Sequence, residues 1–88
     1  MRNICRFQFN EGIDSELIES QIASAIKVAE YTFGQPRVRL NASYLVSKNK
    51  AVIDITDEVG KHIATVFTGL MADRVGEDKF TIDHVKED

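Results

Sequence analysis

The sequence has one cysteine, Cys5, one proline, Pro36, no marked excess of either charge and no long apolar run. One cysteine cannot form an internal disulfide, which fits a chain that works in a reducing compartment. The 11 basic and 14 acidic residues are intermixed and sum to a formal charge of −3, so no long-range field steers the protein toward phosphate-rich partners and nucleic-acid binding is disfavoured. Apolar runs of a few residues fall far short of a membrane span, and the opening MRNICRFQF lacks the apolar stretch of a signal peptide. These shortages lead us to expect a soluble, cytoplasmic protein with no membrane role.

What is present suits a globular fold. A content of 43% hydrophobic and 28% charged residues is too apolar for intrinsic disorder, and 88 residues are enough for one core but not two. Residues 1–88 are therefore expected to form a single domain.

Cys5, Phe7 and Phe9 alternate with Arg6 and Gln8, the period of a strand buried on one face, over residues 3–9. Asp14 follows as a helix N-cap, with Ile13 before it and Ile18 placed to close a hydrophobic staple. Ile18, Ile22, Ala25, Ile26, Ala29 and Phe33 then make a stripe at helical spacing over 15–33, and Gly34 with Pro36 stops the helix.

The stretch RVRLNASYLV alternates again, which predicts a second strand with Val38, Leu40, Ala42, Tyr44 and Val46 inward. A turn at Lys48 and Asn49 returns the chain through AVIDIT, with Ala51, Ile53 and Ile55 inward. Thr56 or Asp57 caps a second helix carrying Val59, Ile63, Val66, Phe67 and Leu70, which ends near Val75 at Gly76. KFTIDHV supplies the last strand, with Phe80, Ile82 and His84 inward.

This order, β-α-β-β-α-β, predicts a ferredoxin-like α+β sandwich: a four-stranded antiparallel sheet in the order 4-1-3-2 with two helices on one face. Pairing Phe7 with Ile82 sets Phe9 against Phe80, Cys5 against His84, Ile4 against Val85 and Arg6 against Asp83. Pairing Phe7 with Ile53 places Asp54 beside Arg6 as well, and the hairpin sets Leu45 against Val52 and Ser43 beside Asp54. Arg6 is then bracketed by two aspartates on the open sheet face, an arrangement that fixes register without any ligand. Arg37 and Arg39 are expected on the same open face at the start of an edge strand. There they could hold a ligand or simply discourage edge-to-edge association.

No catalytic or metal constellation is present. RNA-binding domains of this topology stack bases on open-face aromatics of the central strands, where this chain has Arg6, Gln8, Val52 and Asp54. Metal-carrying relatives of the topology need a CxxC pair, which one cysteine cannot supply. The loop NEGID has the Gly-Ile that precedes the phosphorylated histidine of histidine phosphocarriers, but Asp14 stands in the histidine's place; the phosphate loop of acylphosphatases is missing too. Cys5 and His84 are the one enzyme-like pair, a thiol beside an imidazole, and His62 with Glu58 one turn before it has the spacing of a surface ion pair.

Two features suggest binding. Asn10, Glu11, Gly12 and Asp14, at the start of the first helix, form a loop that could hold a small polar ligand, with Arg37 and Arg39 as further candidates. The outer side of the second helix carries Thr65, Thr68, Gly69 and Ala72 beside Ala64, all small, and Gly69 within a helix hints at a close approach. That approach comes either from the first helix, itself rich in alanine, or from a second copy of the chain. The leading expectation is a non-enzymatic binding or assembly module without a cofactor, forming a homodimer or meeting a protein partner. A small-molecule regulatory domain and a small enzyme using Cys5 and His84 are the alternatives.

Overall fold

A computed structural model describes residues 2–87. The elements run β1 (Arg2–Phe9), α1 (Ser15–Phe33), α2 (Gln35–Asn41), β2 (Tyr44–Ser47), β3 (Lys50–Asp54), α3 (Glu58–Val75), a 3-10 turn (Glu77–Lys79) and β4 (Phe80–Glu87). The fold is α+β, with an antiparallel four-stranded sheet ordered β2-β3-β1-β4, the expected order seen from the other edge.

Both long helices start and stop where local chemistry directs. Asp14 is extended and its carboxylate accepts the Glu16 N–H at 3.0 Å, while Asp57 does the same for Gly60 at 3.0 Å. Gly34 and Gly76, at φ of 90° and 97°, end α1 and α3 in the left-handed region that L side chains avoid. Gly60 has a different reason to be glycine: a β-carbon there would collide with the Asp54 carbonyl oxygen, so the first turn of α3 lies hard against the end of β3.

The predicted strand over residues 37–46 is corrected. Residues 35–41 form α2, and β2 begins only at Tyr44. Pro36 sits in the first turn of α2, where its fixed φ suits a helix and its missing N–H costs nothing. The alternation was ambiguous because Val38 and Ala42 are also one helical turn apart. Val38 is buried and Ala42 packs against the core, whereas Leu40, expected inward, is 85% exposed. The described residues thus hold three α-helices rather than two.

The β1–β4 register is as expected in every pair, including Phe7 with Ile82, Cys5 with His84 and Arg6 with Asp83. The hairpin pairs Leu45 with Val52, and the Ser43 carbonyl accepts the Asp54 N–H at 2.9 Å. Asn49 ties this turn to β1: its carbonyl accepts the Phe9 N–H at 2.8 Å and its side-chain amide donates to the Phe9 carbonyl at 3.1 Å. That clamp sets the β1–β3 register two residues away from the expected one. Phe7 faces Ala51, Cys5 faces Ile53 and Arg6 faces Val52. A slip of two keeps every side chain on its face, so alternation alone cannot detect it.

The small Ala51 opposite Phe7 leaves room for Phe67 of α3, whose ring meets Phe7 edge-on at 4.9 Å. Around this contact the core gathers Phe9, Ile18, Ile22, Ile53, Ile63 and Met71, all buried. Val66 and Leu70 of the predicted helical stripe lie at its margin, partly buried.

Candidate functional site

β4 runs along an edge of the sheet and pairs with β1 alone among the described strands. Its inner face follows that of β1, so Phe80, Ile82, His84 and Lys86 point to the side of Phe9, Phe7, Cys5 and Asn3. The burial differs sharply: Phe7 is fully buried while Ile82 is 42% exposed. α3 lies beside this row rather than on top of it.

The result is a groove between α3 and β4. At one end a hollow of about 330 Å³ is lined by Thr68, Ala72, Glu77, Phe80 and Ile82. A middle stretch joins it at Thr68 and adds Cys5, Ile55, Ala64 and Thr65. The far end shares Ile55 and Lys61 with the middle and adds Asn3, His84 and Lys86. The groove is thus acidic at its Glu77 end, apolar in the middle and basic at its Lys61–Lys86 end.

The small residues of α3 form one wall. Thr65 and Thr68 turn their hydroxyls back to the carbonyls of Lys61 and Ala64, both at 2.8 Å, which spends their polar atoms on the helix itself. Thr65, Thr68 and Ala72 therefore face β1 and β4 across the groove, not α1. Of the two sources of a close approach to Gly69, the first helix is ruled out: among the described residues an added β-carbon there would meet nothing within 4 Å.

The other candidate residues are scattered. Arg37 and Arg39 lie on α2, not on an edge strand or the open sheet face, and Arg37 stacks its guanidinium over Phe33 at 4.7 Å. The loop carrying Asn10, Glu11, Gly12 and Asp14 lies at the opposite end of α1, a helix about 28 Å long at 1.5 Å per residue. The structure does not bring these two groups together. A hollow of about 400 Å³ does open at the loop, lined by Glu11, Gly12, Ile13, Ser15, Lys48 and Asn49. Asp14 borders it with its carboxylate committed to the helix cap, and the Asn10 backbone is tied to Lys79 and Ile13.

Cys5 and His84 are cross-strand partners, yet among the described residues no hydrogen bond joins them. Burial pushes the Cys5 thiol above its ordinary value, opposite to what a nucleophile needs. His62 sits edge-on to Phe33 at 5.4 Å, and Glu58 pairs with Lys61 at 3.4 Å instead. Arg6 faces Asp83, but Asp54 belongs to Arg2, at 3.4 Å. Hydrogen bonds from Thr56, and then the Arg2 charge, hold the Asp54 carboxyl below the usual carboxylate range. The central strands turn Ile4, Arg6, Gln8, Val52 and Asp54 to the open face. Among the described residues no cluster of three metal-ligating side chains occurs, and no helix is long and apolar enough to cross a membrane.

Sequence reasoning found the α3 wall of the groove and missed the β4 wall. The signal was present in the inward row itself, which begins with Phe80 and Ile82 but continues into His84 and Lys86. Such a row stops being apolar where the helix layer stops covering it. No family model, curated protein or solved structure matches this chain.

Proposed function

We propose that the chain is a single ferredoxin-like domain serving as a non-enzymatic, cytoplasmic binding or assembly module, and that it forms a homodimer. The observation carrying this reading is the groove, where the half-exposed Ile82 of β4 faces the small-residue wall of Thr65, Thr68 and Ala72 on α3. An apolar inner sheet face left open beside a helix wall that has no long charged residue among Ala64, Thr65, Thr68 and Ala72 is suited to burial by a partner rather than to solvation. The raised Cys5 thiol and its lack of an activating contact count against the enzyme alternative.

Sedimentation equilibrium of the wild type and Thr68→Arg tests the reading. A wild-type dimer that the variant converts into a folded monomer supports it, because a two-fold interface meets each substitution twice. A wild-type monomer, or a variant that stays dimeric, rejects it.

The hollow at Glu11, Gly12, Lys48 and Asn49 supports a second reading, a small-molecule regulatory domain holding a polar ligand beside the start of α1. Asn10 and Asp14 would then frame the ligand, while Arg37 and Arg39, a helix length away, would take no part. A thermal-shift screen of small polar metabolites, repeated with Lys48→Glu, checks it: a stabilising ligand lost in the variant supports this site.

A further inference from the structure

We propose that the occupant of the groove is a second copy of this chain, joined by antiparallel pairing of β4 with β4 about a two-fold axis at His84. This inference rests on the assembly reading and adds the partner, the strand and the register.

The backbone provides the first argument. Phe9 N–H donates to the Asn49 carbonyl and Ile55 N–H to that of Asn3, so the odd-numbered residues of β1 bond to β3. Asn10 N–H donates to the Lys79 carbonyl, so the even-numbered ones bond to β4. In an antiparallel ladder this alternation continues along the strand. Thr81, Asp83, Val85 and Glu87 therefore direct their N–H and C=O groups to β1, while Phe80, Ile82, His84 and Lys86 direct theirs to the free edge. β4 is eight residues long, pairs without a bulge from Phe80 to Glu87 and contains no proline. Edges that avoid pairing are shortened, bulged, broken by proline or charged; this one is long, regular and free of proline, and its charges, Asp83, Lys86 and Glu87, all follow Ile82. The other edge, β2, has four residues.

Charge provides the second. One end of the groove carries Lys61 and Lys86 and the other Glu77. A copy turned by a two-fold axis runs its β4 in the opposite direction and lays its Glu77 end along the basic end of the first. A parallel copy would set like charges together.

Register is the third. Continuing one sheet with both helix layers on the same side requires even residues to pair with even and odd with odd. Centring the axis on Asp83 sets two carboxylates directly opposite, which is destabilising. Centring it on His84 pairs Ile82 with Lys86, whose aliphatic stem covers it, and sets Asp83 against Val85 and Thr81 against Glu87. His84 with His84, and the two Ile82–Lys86 pairs, then exchange about six backbone bonds. Thr68 lies in both the Ile82 stretch and the Cys5 stretch of the groove, and Cys5 is the β1 partner of His84, so the small walls of the two α3 helices flank the seam.

Cross-linking and a proline substitution test the register. In a Cys5→Ser background, His84→Cys should form a disulfide-linked dimer on mild oxidation, since residues directly opposite in a hydrogen-bonded pair have Cα atoms about 5.5 Å apart, the usual disulfide span. Asp83→Cys should cross-link at least about tenfold more slowly, because its closest partner across the seam is Val85. Ile82→Pro removes only an outward N–H, so it should yield a folded monomer. Cross-linking through position 83 in preference to 84 overturns the proposal. So does a dimer that Thr68→Arg dissociates but that neither cross-links at 84 nor responds to Ile82→Pro; that outcome leaves the assembly reading standing, whereas a wild-type monomer removes both. Should Ile82→Pro fail to fold, the contrast between positions 84 and 83 decides alone.

Discussion

Phe7 and Ile82 face each other across the β1–β4 ladder and point to the same side of the sheet, yet Phe7 is completely buried and Ile82 is 42% exposed. The boundary of the helix layer runs between them. Phe67 of α3 closes over the Phe7 ring at 4.9 Å, and no helix reaches far enough to do the same for Ile82. Core and candidate interface are thus neighbouring positions of one continuous apolar row.

The two residues should respond very differently to truncation. Phe7→Ala should cost about 3–5 kcal/mol, through lost burial and the cavity left against Phe67 and Ile53. Ile82→Ala should cost about 1 kcal/mol or less in a monomeric background such as Thr68→Arg, because much of its surface is already in water. Urea unfolding of both variants in that background makes the comparison. Equal losses would mean that the helix layer covers β4 after all.

The two glycines of α3 give an internal contrast. Gly60→Ala should destabilise by about 1–3 kcal/mol, since the new methyl group meets the rigid Asp54 carbonyl rather than a flexible side chain. Gly69→Ala should instead stabilise by about 0.5–1 kcal/mol, because the position is helical and open and alanine loses less backbone entropy on folding. Thermal melts of the two variants in the monomeric background should move in opposite directions.

Much of this fold was legible because its signals are local. Asp14, Gly34, Asp57 and Gly76 bound both long helices through caps that act within one turn, and the β1–β4 register follows from matching inward rows of the same length. What was hidden depends on relations that period alone leaves degenerate. Val38 and Ala42 satisfy both a strand alternation and a helical turn, and Gly34 with Pro36 decides for the helix. The β1–β3 register is fixed by Asn49 clasping Phe9, a contact between residues forty positions apart that leaves no mark on either stretch. The candidate site was half legible for the same reason: the composition of Thr65, Thr68 and Ala72 is a property of one helix, but the exposure of Ile82 depends on where that helix lies.

Asp54 should make stability depend on acid pH. Its carboxyl is held below the ordinary range by hydrogen bonds from Thr56 and by the Arg2 charge, so the folded state binds this proton more weakly than the unfolded state does. The corresponding stabilisation is present above the unfolded value of about 3.9 and is lost as pH falls through the lower folded value. Urea midpoints followed from pH 6 downward should therefore decline less steeply for Asp54→Asn than for the wild type. Parallel curves would remove Asp54 from the set of groups that sense acid.

Arg6 distinguishes the observed β1–β3 register from the one that alternation suggests. With Phe7 opposite Ala51, Arg6 faces Asp83 on one side and Val52 on the other, and Asp54 lies across from Ile4, where Arg2 reaches it at 3.4 Å. An Arg6/Asp83 double-mutant cycle should therefore give a coupling of about 0.2–1 kcal/mol, the range of exposed opposite charges on adjacent strands. The Arg6/Asp54 cycle should give a weaker coupling, and the Arg2/Asp54 cycle a favourable one, kept small by the exposure of the Arg2 side chain. All three couplings should shrink when salt is raised from 0.05 to about 1 M, where the screening length falls to about 3 Å. A strong Arg6/Asp54 coupling with none between Arg2 and Asp54 would instead place β3 two residues along from the position the Asn49 clamp gives it. Ile53 rather than Ala51 would then lie against Phe7, and the space that admits the Phe67 ring would close.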